Sequence, residues 1–180
     1  GSTARRTVPI ATRPMDRTST QLIDGDSLAD RLGHALAVSR PACVVIAEVT
    51  GLDVVDALAG RVTHDRVITA IGQRLTESVR ADDLVAHLGG GSFAVVCFGI
   101  TDPALGSVVA ERVRGLLGGR VVAAGQMVTL SATAGAAVAD GSLEAVAAEI
   151  AAGLLVSRAR RALNPAPCRR TVRVRRRAPR

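Results

Sequence analysis

The sequence predicts an α/β protein with a mixed central sheet flanked by helices, and three observations predict it. Short apolar runs rich in β-branched residues alternate along the chain with longer segments whose apolar residues repeat at helical spacing. Two pairs of those runs are separated only by turn residues, which makes antiparallel hairpins inside a sheet whose other connections pass through helices. The length, 180 residues, fits one domain able to bury a core without staples.

Residues 1–20 are rich in Thr, Arg and Pro without periodicity and read as a linker. The opening Gly1-Ser2 reads as a cloning scar, so the chain is expected to be a piece of a longer protein. The domain proper is assigned to residues 21–163 and an arginine-rich tail to 164–180. Within the domain, residues 26–39 place Leu28, Leu32 and Leu36 at helical spacing behind Asp24 and Asp26. PACVVIAEV, residues 41–49, is short, apolar and β-branched, hence a buried strand. Two helices are predicted next, over 52–62 and 65–80, the second carrying Val67, Ile68, Ile71, Leu75 and Val79 on one side. DLVAHL and SFAVVCFGI are strands separated only by Gly89, Gly90 and Gly91, which makes a hairpin. A helix over 102–117 starts with Asp102 and Pro103 in the cap and first-turn positions. Residues 120–138 read as two strands around an Ala124–Gln126 turn, and 142–163 as a last long helix.

Composition narrows the chemistry. Phe93 and Phe98 are the only aromatic rings apart from histidine, so the core is built of Val, Leu, Ile and Ala. No apolar run reaches the roughly 18–20 residues that span a bilayer, and no apolar signal stretch follows Arg5 and Arg6. Cys43, Cys97 and Cys168 have no CxxC spacing and read as thiols in a reducing compartment. His34, His64 and His87 are scattered, without the helical spacing of a zinc pair. The net charge of +7 is concentrated in residues 158–180, which hold ten arginines and no acid, so that residues 1–157 carry −3. The terminal RRTVRVRRRAPR offers phosphate contacts to nucleic acid or an anionic membrane surface, but it lacks the interleaved aromatics on which bases stack. A solvated end is the plainer reading.

The frame from Val44 to Val138, with VVIAEV, HDRVITAIGQRLTESVRADDLVAHLGG, FAVV, AERVR and VTLSATAGAAV in order, resembles a GGDEF domain of the diguanylate cyclase family. That family makes cyclic di-GMP from two GTP molecules, and the resemblance implies a cytoplasmic signalling domain, alone or as the cytoplasmic part of a membrane-attached protein. The signature turn here, Gly89-Gly90-Gly91-Ser92-Phe93, lacks both signature carboxylates. The first-strand metal aspartate aligns with Glu48 and the next with Thr50. A lysine is replaced by Asp53, the guanine-reading asparagine by Asp56, and the second guanine-reading acid is kept as Asp65. A phosphate-contacting lysine aligns loosely with Arg160. The resemblance therefore implies a vestigial active site with no catalytic residue, no metal site and no cofactor.

A second constellation is better kept. The family's inhibitory site is an RxxD pair ending shortly before the glycines plus an arginine from the following helix, and Arg80, Asp83 and Arg112 stand at those places. Arginine presents a planar fork suited to phosphate or a guanine edge, and aspartate accepts from guanine N1–H and N2–H₂. A surface Arg–Asp ion pair is the bland alternative. The resemblance implies a degenerate GGDEF domain acting as a cyclic di-GMP receptor, in which the ligand crosslinks two copies or orders a partner domain. A nucleotide-free dimerisation or protein-interaction module, using the Ala-rich 143–156 helix, is the alternative, and a GTP-sensing or weakly active cyclase is a third.

Overall fold

The computed structural model describes residues 22–139 together with Ala159 and Leu163. The elements run β1 (Leu22–Ile23), α1 (Gly25–Ala37), β2 (Ala42–Thr50), α2 (Leu52–Ser78), β3 (Leu84–Gly89), β4 (Ser92–Phe98), α3 (Pro103–Leu117), β5 (Gly119–Ala123) and β6 (Gln126–Ala139). One six-stranded sheet has the order β1-β3-β4-β2-β6-β5. Only β1 and β3 are parallel neighbours; the other four pairings are antiparallel, so the sheet is mixed as expected. Within it β2-α2-β3-β4-α3-β6 forms a split β-α-β unit, with β2 and β4 side by side and β3 and β6 flanking them.

The period of two along β2 builds two cores. Its odd-numbered residues Cys43, Val45, Ala47 and Val49 pack with Val55, Ile68, Ile71 and Leu75 of α2 and with Ala110, Val113 and Leu117 of α3. Its even-numbered residues Ala42, Val44 and Ile46 pack with Leu28, Leu32 and Leu36 of α1 and with Ala159 and Leu163. Helices thus cover both faces, which is why β2 is apolar without alternation until Glu48. The three α1 leucines are almost completely buried, and each stabilises the fold by about 1.5–3 kcal/mol as an upper bound.

Local signals act where they were expected. Asp24 caps α1 by accepting from the Ser27 N–H at 2.7 Å. Asp102 caps α3 by accepting from the Ala104 N–H at 2.8 Å, with Pro103 in the first turn. The structure differs from these expectations at β1, at Gly60 and at two element ends. The two residues of β1 show no period in the sequence, and it is their pairing with Val85 and Ala86 of β3 that makes them a strand. The two helices predicted over 52–62 and 65–80 meet at Gly60, whose φ of 77° and ψ of 172° break α2 two residues earlier than expected. α2 ends at Ser78 rather than residue 80, and β4 ends at Phe98 rather than residue 100. The expected 1–20 linker, the 142–163 helix as a whole, Arg160, Cys168 and the 164–180 tail lie outside the described residues. Among the described residues no helix is long and apolar enough to cross a membrane.

Candidate functional site

The glycine turn is built by backbone demands. Gly89 and Gly90 have φ of 103° and 54°, left-handed values that glycine adopts without strain, and the pair Gly89–Ser92 closes the hairpin after a register shift beyond His87. The His87 ring contacts Phe93, with centroids 5.0 Å apart, and its Nε2 lies 2.9 Å from the Gly90 carbonyl oxygen. The Val49 N–H donates to the Gly91 carbonyl at 2.9 Å, drawing the turn onto the end of β2. A Cβ at Gly91 would run into the Val49 carbonyl oxygen, so the turn as folded has no room for a side chain there.

Of the acids expected around this turn, Glu48 is set beside it by the sheet register. Glu48 is exposed and stands opposite Ser92 on β4 and Thr133 on β6. Asp53 and Asp56 are exposed on the first part of α2, before the Gly60 break. Asp65 lies beyond that break and interacts within its own helix, 3.3 Å from Arg61 Nε and 3.1 Å from His64 Nδ1. Among the described residues, no three His, Cys, Asp or Glu side chains come together in a metal-holding group.

The second constellation converges. Arg80, Asp83 and Arg112 all line one pocket of about 130 Å³, with Ser78, Cys97 and Val109 among its walls. Asp83 is only 6% exposed. Its Oδ2 accepts from the Arg80 N–H at 3.1 Å and its Oδ1 from the Phe98 N–H at 3.1 Å, while its own N–H donates to the Arg80 carbonyl at 3.0 Å. The carboxylate therefore ties the loop after α2 to the end of β4, one oxygen to each. Next to it Asp82 turns outward to Arg40 Nη2 at 3.2 Å, and that guanidinium lies 4.0 Å over the Phe98 ring. The RxxD segment is thus fixed from both sides.

Arg112 is placed by its backbone contact, Nη2 donating to the Ser78 carbonyl at 3.1 Å. Arg74 does the same in reverse, Nη1 donating to the Leu116 carbonyl at 2.9 Å. Each helix thus sets a guanidinium on the negative C-terminal end of the other, satisfying carbonyls with no partner in their own helix. Beneath the pocket, burial pushes the Cys97 thiol up to about 12, reinforced by Asp83 and Cys43, with Arg80 and Arg112 pulling the other way. Cys43, opposite Cys97 on β2, is raised to about 11 by burial alone. Sequence reasoning found the three pocket residues but missed Arg40, Arg74 and Ser78, whose contacts join segments far apart in the chain. The one available signal was the arginine one helical turn before each helix end.

Residues 19–166 match the family model of the GGDEF domain, diguanylate cyclase. Among solved structures, the chain is similar to a sensory box/GGDEF family protein from Caulobacter crescentus, at 25% identity over 78% of this chain and 94% of that one, with a TM-score of 0.62. It is similar in fold to the GGDEF domain of DgcB from Caulobacter crescentus in complex with c-di-GMP, at 17% identity, 91% and 90% coverage and a TM-score of 0.62. A third likeness is to the diguanylate cyclase SiaD in complex with its activator SiaC from Pseudomonas aeruginosa, at 22% identity over 79% of this chain and 54% of that one, TM-score 0.63. No curated protein matches the chain in sequence.

Proposed function

Since the chain belongs to the GGDEF domain family, we propose that it is a catalytically inactive member that serves as a cyclic di-GMP receptor, binding at the pocket of Arg80, Asp83 and Arg112. The observation that carries this reading is that those three residues line one pocket, with the Arg112 guanidinium held by the Ser78 carbonyl. Guanidiniums suit both the phosphates and the guanine O6/N7 edge of such a ligand, and a fixed arginine loses little freedom on binding. Asp83 acts chiefly as a positioning residue, fixing the Arg80 loop against β4. At about 130 Å³ the pocket is well below the ~300–1,000 Å³ that encloses a drug-sized ligand. A dinucleotide would insert an edge and leave the rest for a second surface, a second copy or a neighbouring domain. The DgcB domain was solved in complex with c-di-GMP, which accords with this class of ligand.

The inactive part of the reading rests on the donor set at the turn. Phosphoryl transfer depends on metal and positioned charge at the transferring group, and a hard divalent cation wants several oxygen ligands, carboxylates first. Glu48 with the facing hydroxyls of Ser92 and Thr133 is one carboxylate, which does not fit such an ion. A protein-interaction module is a second reading, favoured by Val122 and Met127, paired across the β5–β6 hairpin and each more than 60% exposed.

Thermal unfolding of the chain with cyclic di-GMP, beside GTP incubated with magnesium or manganese, tests both parts. Ligand at about 100 times its Kd stabilises by about 2.7 kcal/mol, a rise of roughly 5–10 °C for this size. The reading expects that rise, its loss in Arg112→Ala, and no GTP turnover; turnover by the wild-type chain overturns the claim of inactivity.

A further inference from the structure

A second concavity lies between the middle of α2 and the junction of α3 with β5, with a volume of about 220 Å³. Its floor is the core itself: Ile71, Leu117 and Leu130 are nearly fully buried there, with Val67 and Val121 half-buried beside them. Its rim carries Arg66, Arg74 and Arg120, and no acidic residue lines it. Elsewhere on the surface arginines meet acids: Arg40 meets Asp82, Arg61 meets Asp65 and Arg114 meets Glu111. Arg74 is committed to the Leu116 carbonyl. Arg66 and Arg120 have no hydrogen bond or ion pair among the described residues, and they flank the same cleft.

We propose that this cleft is a second ligand site, for a small amphipathic phosphate. Its dianionic head is held between Arg66 and Arg120, and its apolar body lies on the Ile71, Leu117 and Leu130 floor. Two like charges beside one cleft repel each other and gain from a shared dianion, and the guanidinium fork matches a phosphate's oxygens bidentately. The apolar floor rewards a ligand with an apolar body over bare phosphate. At about 30 Å³ per water-sized group, the cleft takes roughly seven such groups. That is enough to take in a phosphorylated ring or short chain whole, whereas a dinucleotide would leave most of itself outside. The site shares no lining residue with the pocket of Arg80, Asp83 and Arg112, so it stands whether or not that pocket binds cyclic di-GMP.

The test is backbone-amide NMR of the full chain titrated with phenyl phosphate, against inorganic phosphate at matched ionic strength. The matched series is needed because the ten arginines of residues 158–180 attract any anion. Saturable shifts of the Ala70, Leu117 and Val121 amides with phenyl phosphate are expected, with affinity at least ten-fold above that for inorganic phosphate. Arg66→Gln and Arg120→Gln should each weaken binding ten-fold or more without moving the urea midpoint, since both side chains are exposed, and Arg80→Ala should leave it unchanged. Shifts confined to the arginine-rich tail, equal binding of both probes, or binding indifferent to Arg66→Gln and Arg120→Gln would each overturn the proposal.

Discussion

Replacing Asp83 with alanine removes two acceptors at once, and its cost can be worked from the contacts. The carboxylate is 6% exposed and accepts from the Arg80 and Phe98 N–H groups, each at 3.1 Å. A hydrogen bond to a charged group contributes about 1.5–3 kcal/mol net, and a buried donor left without a partner costs about 1–3 kcal/mol. The Phe98 donor is buried at the sheet end, whereas the Arg80 donor borders the pocket, where water replaces part of what is lost. Removing a buried carboxylate also relieves its desolvation cost. The low end of the range therefore applies, about 3 kcal/mol in all. With a urea slope of about 2 kcal/mol/M, the Asp83→Ala midpoint should fall by about 1.5 M. Arg80→Ala, which removes an exposed side chain and leaves both backbone bonds in place, should move it far less. An Asp83→Ala midpoint within about 0.3 M of wild type would refute the view that this aspartate ties the loop to β4.

Other consequences follow from single residues. Gly91→Asp pushes a Cβ into the Val49 carbonyl, so it should destabilise by about 1–3 kcal/mol in urea denaturation and, on the proposed reading, confer no GTP turnover. Gly60→Ala meets no atom within 4 Å but must adopt a φ of 77°, for a loss of about 1–3 kcal/mol. Gly115→Ala, equally unobstructed and inside α3, should gain about 0.4–1 kcal/mol, so the two substitutions should move the melting temperature in opposite directions. The thiols at Cys43 and Cys97 are raised to about 11 and about 12, so the folded state favours their protonated form. That stability is fully present below pH about 9 and is lost as pH climbs toward 11–12. In a Cys168→Ser background, iodoacetamide at pH 8 should label the native chain far more slowly than the urea-unfolded one; equal rates would contradict it.

How much was legible in the sequence depended on how local the signal was. The caps at Asp24 and Asp102, the leucine stripe of α1, the glycine hairpin and the β-branched β2 are written within a few residues of where they act, and the structure places them as read. β1 was not legible because only its pairing with β3 defines it. The helix break fell at Gly60 because a left-handed glycine interrupts α2 while its apolar pattern runs on. At the candidate site, the resemblance to the family's inhibitory motif pointed to Arg80, Asp83 and Arg112, which line one pocket. It did not reveal that both Asp83 oxygens face backbone donors, nor that Arg74 and Arg112 cap each other's helices, since those partners lie up to 42 residues away. The cleft of Arg66, Arg74 and Arg120 was hidden for the same reason: two of its arginines share α2 and the third arrives on β5.

Titration calorimetry of the full chain with cyclic di-GMP, repeated on Arg80→Ala, tests the receptor claim most directly. Saturable heat with a dissociation constant on the order of 1 µM, equivalent to about −8 kcal/mol, is predicted for the wild type. It should be lost in Arg80→Ala, whose urea midpoint stays near the wild-type value. Absence of heat in both proteins at high ligand concentration, or the same heat in both, would contradict the account and turn the search toward a protein partner for the β5–β6 hairpin.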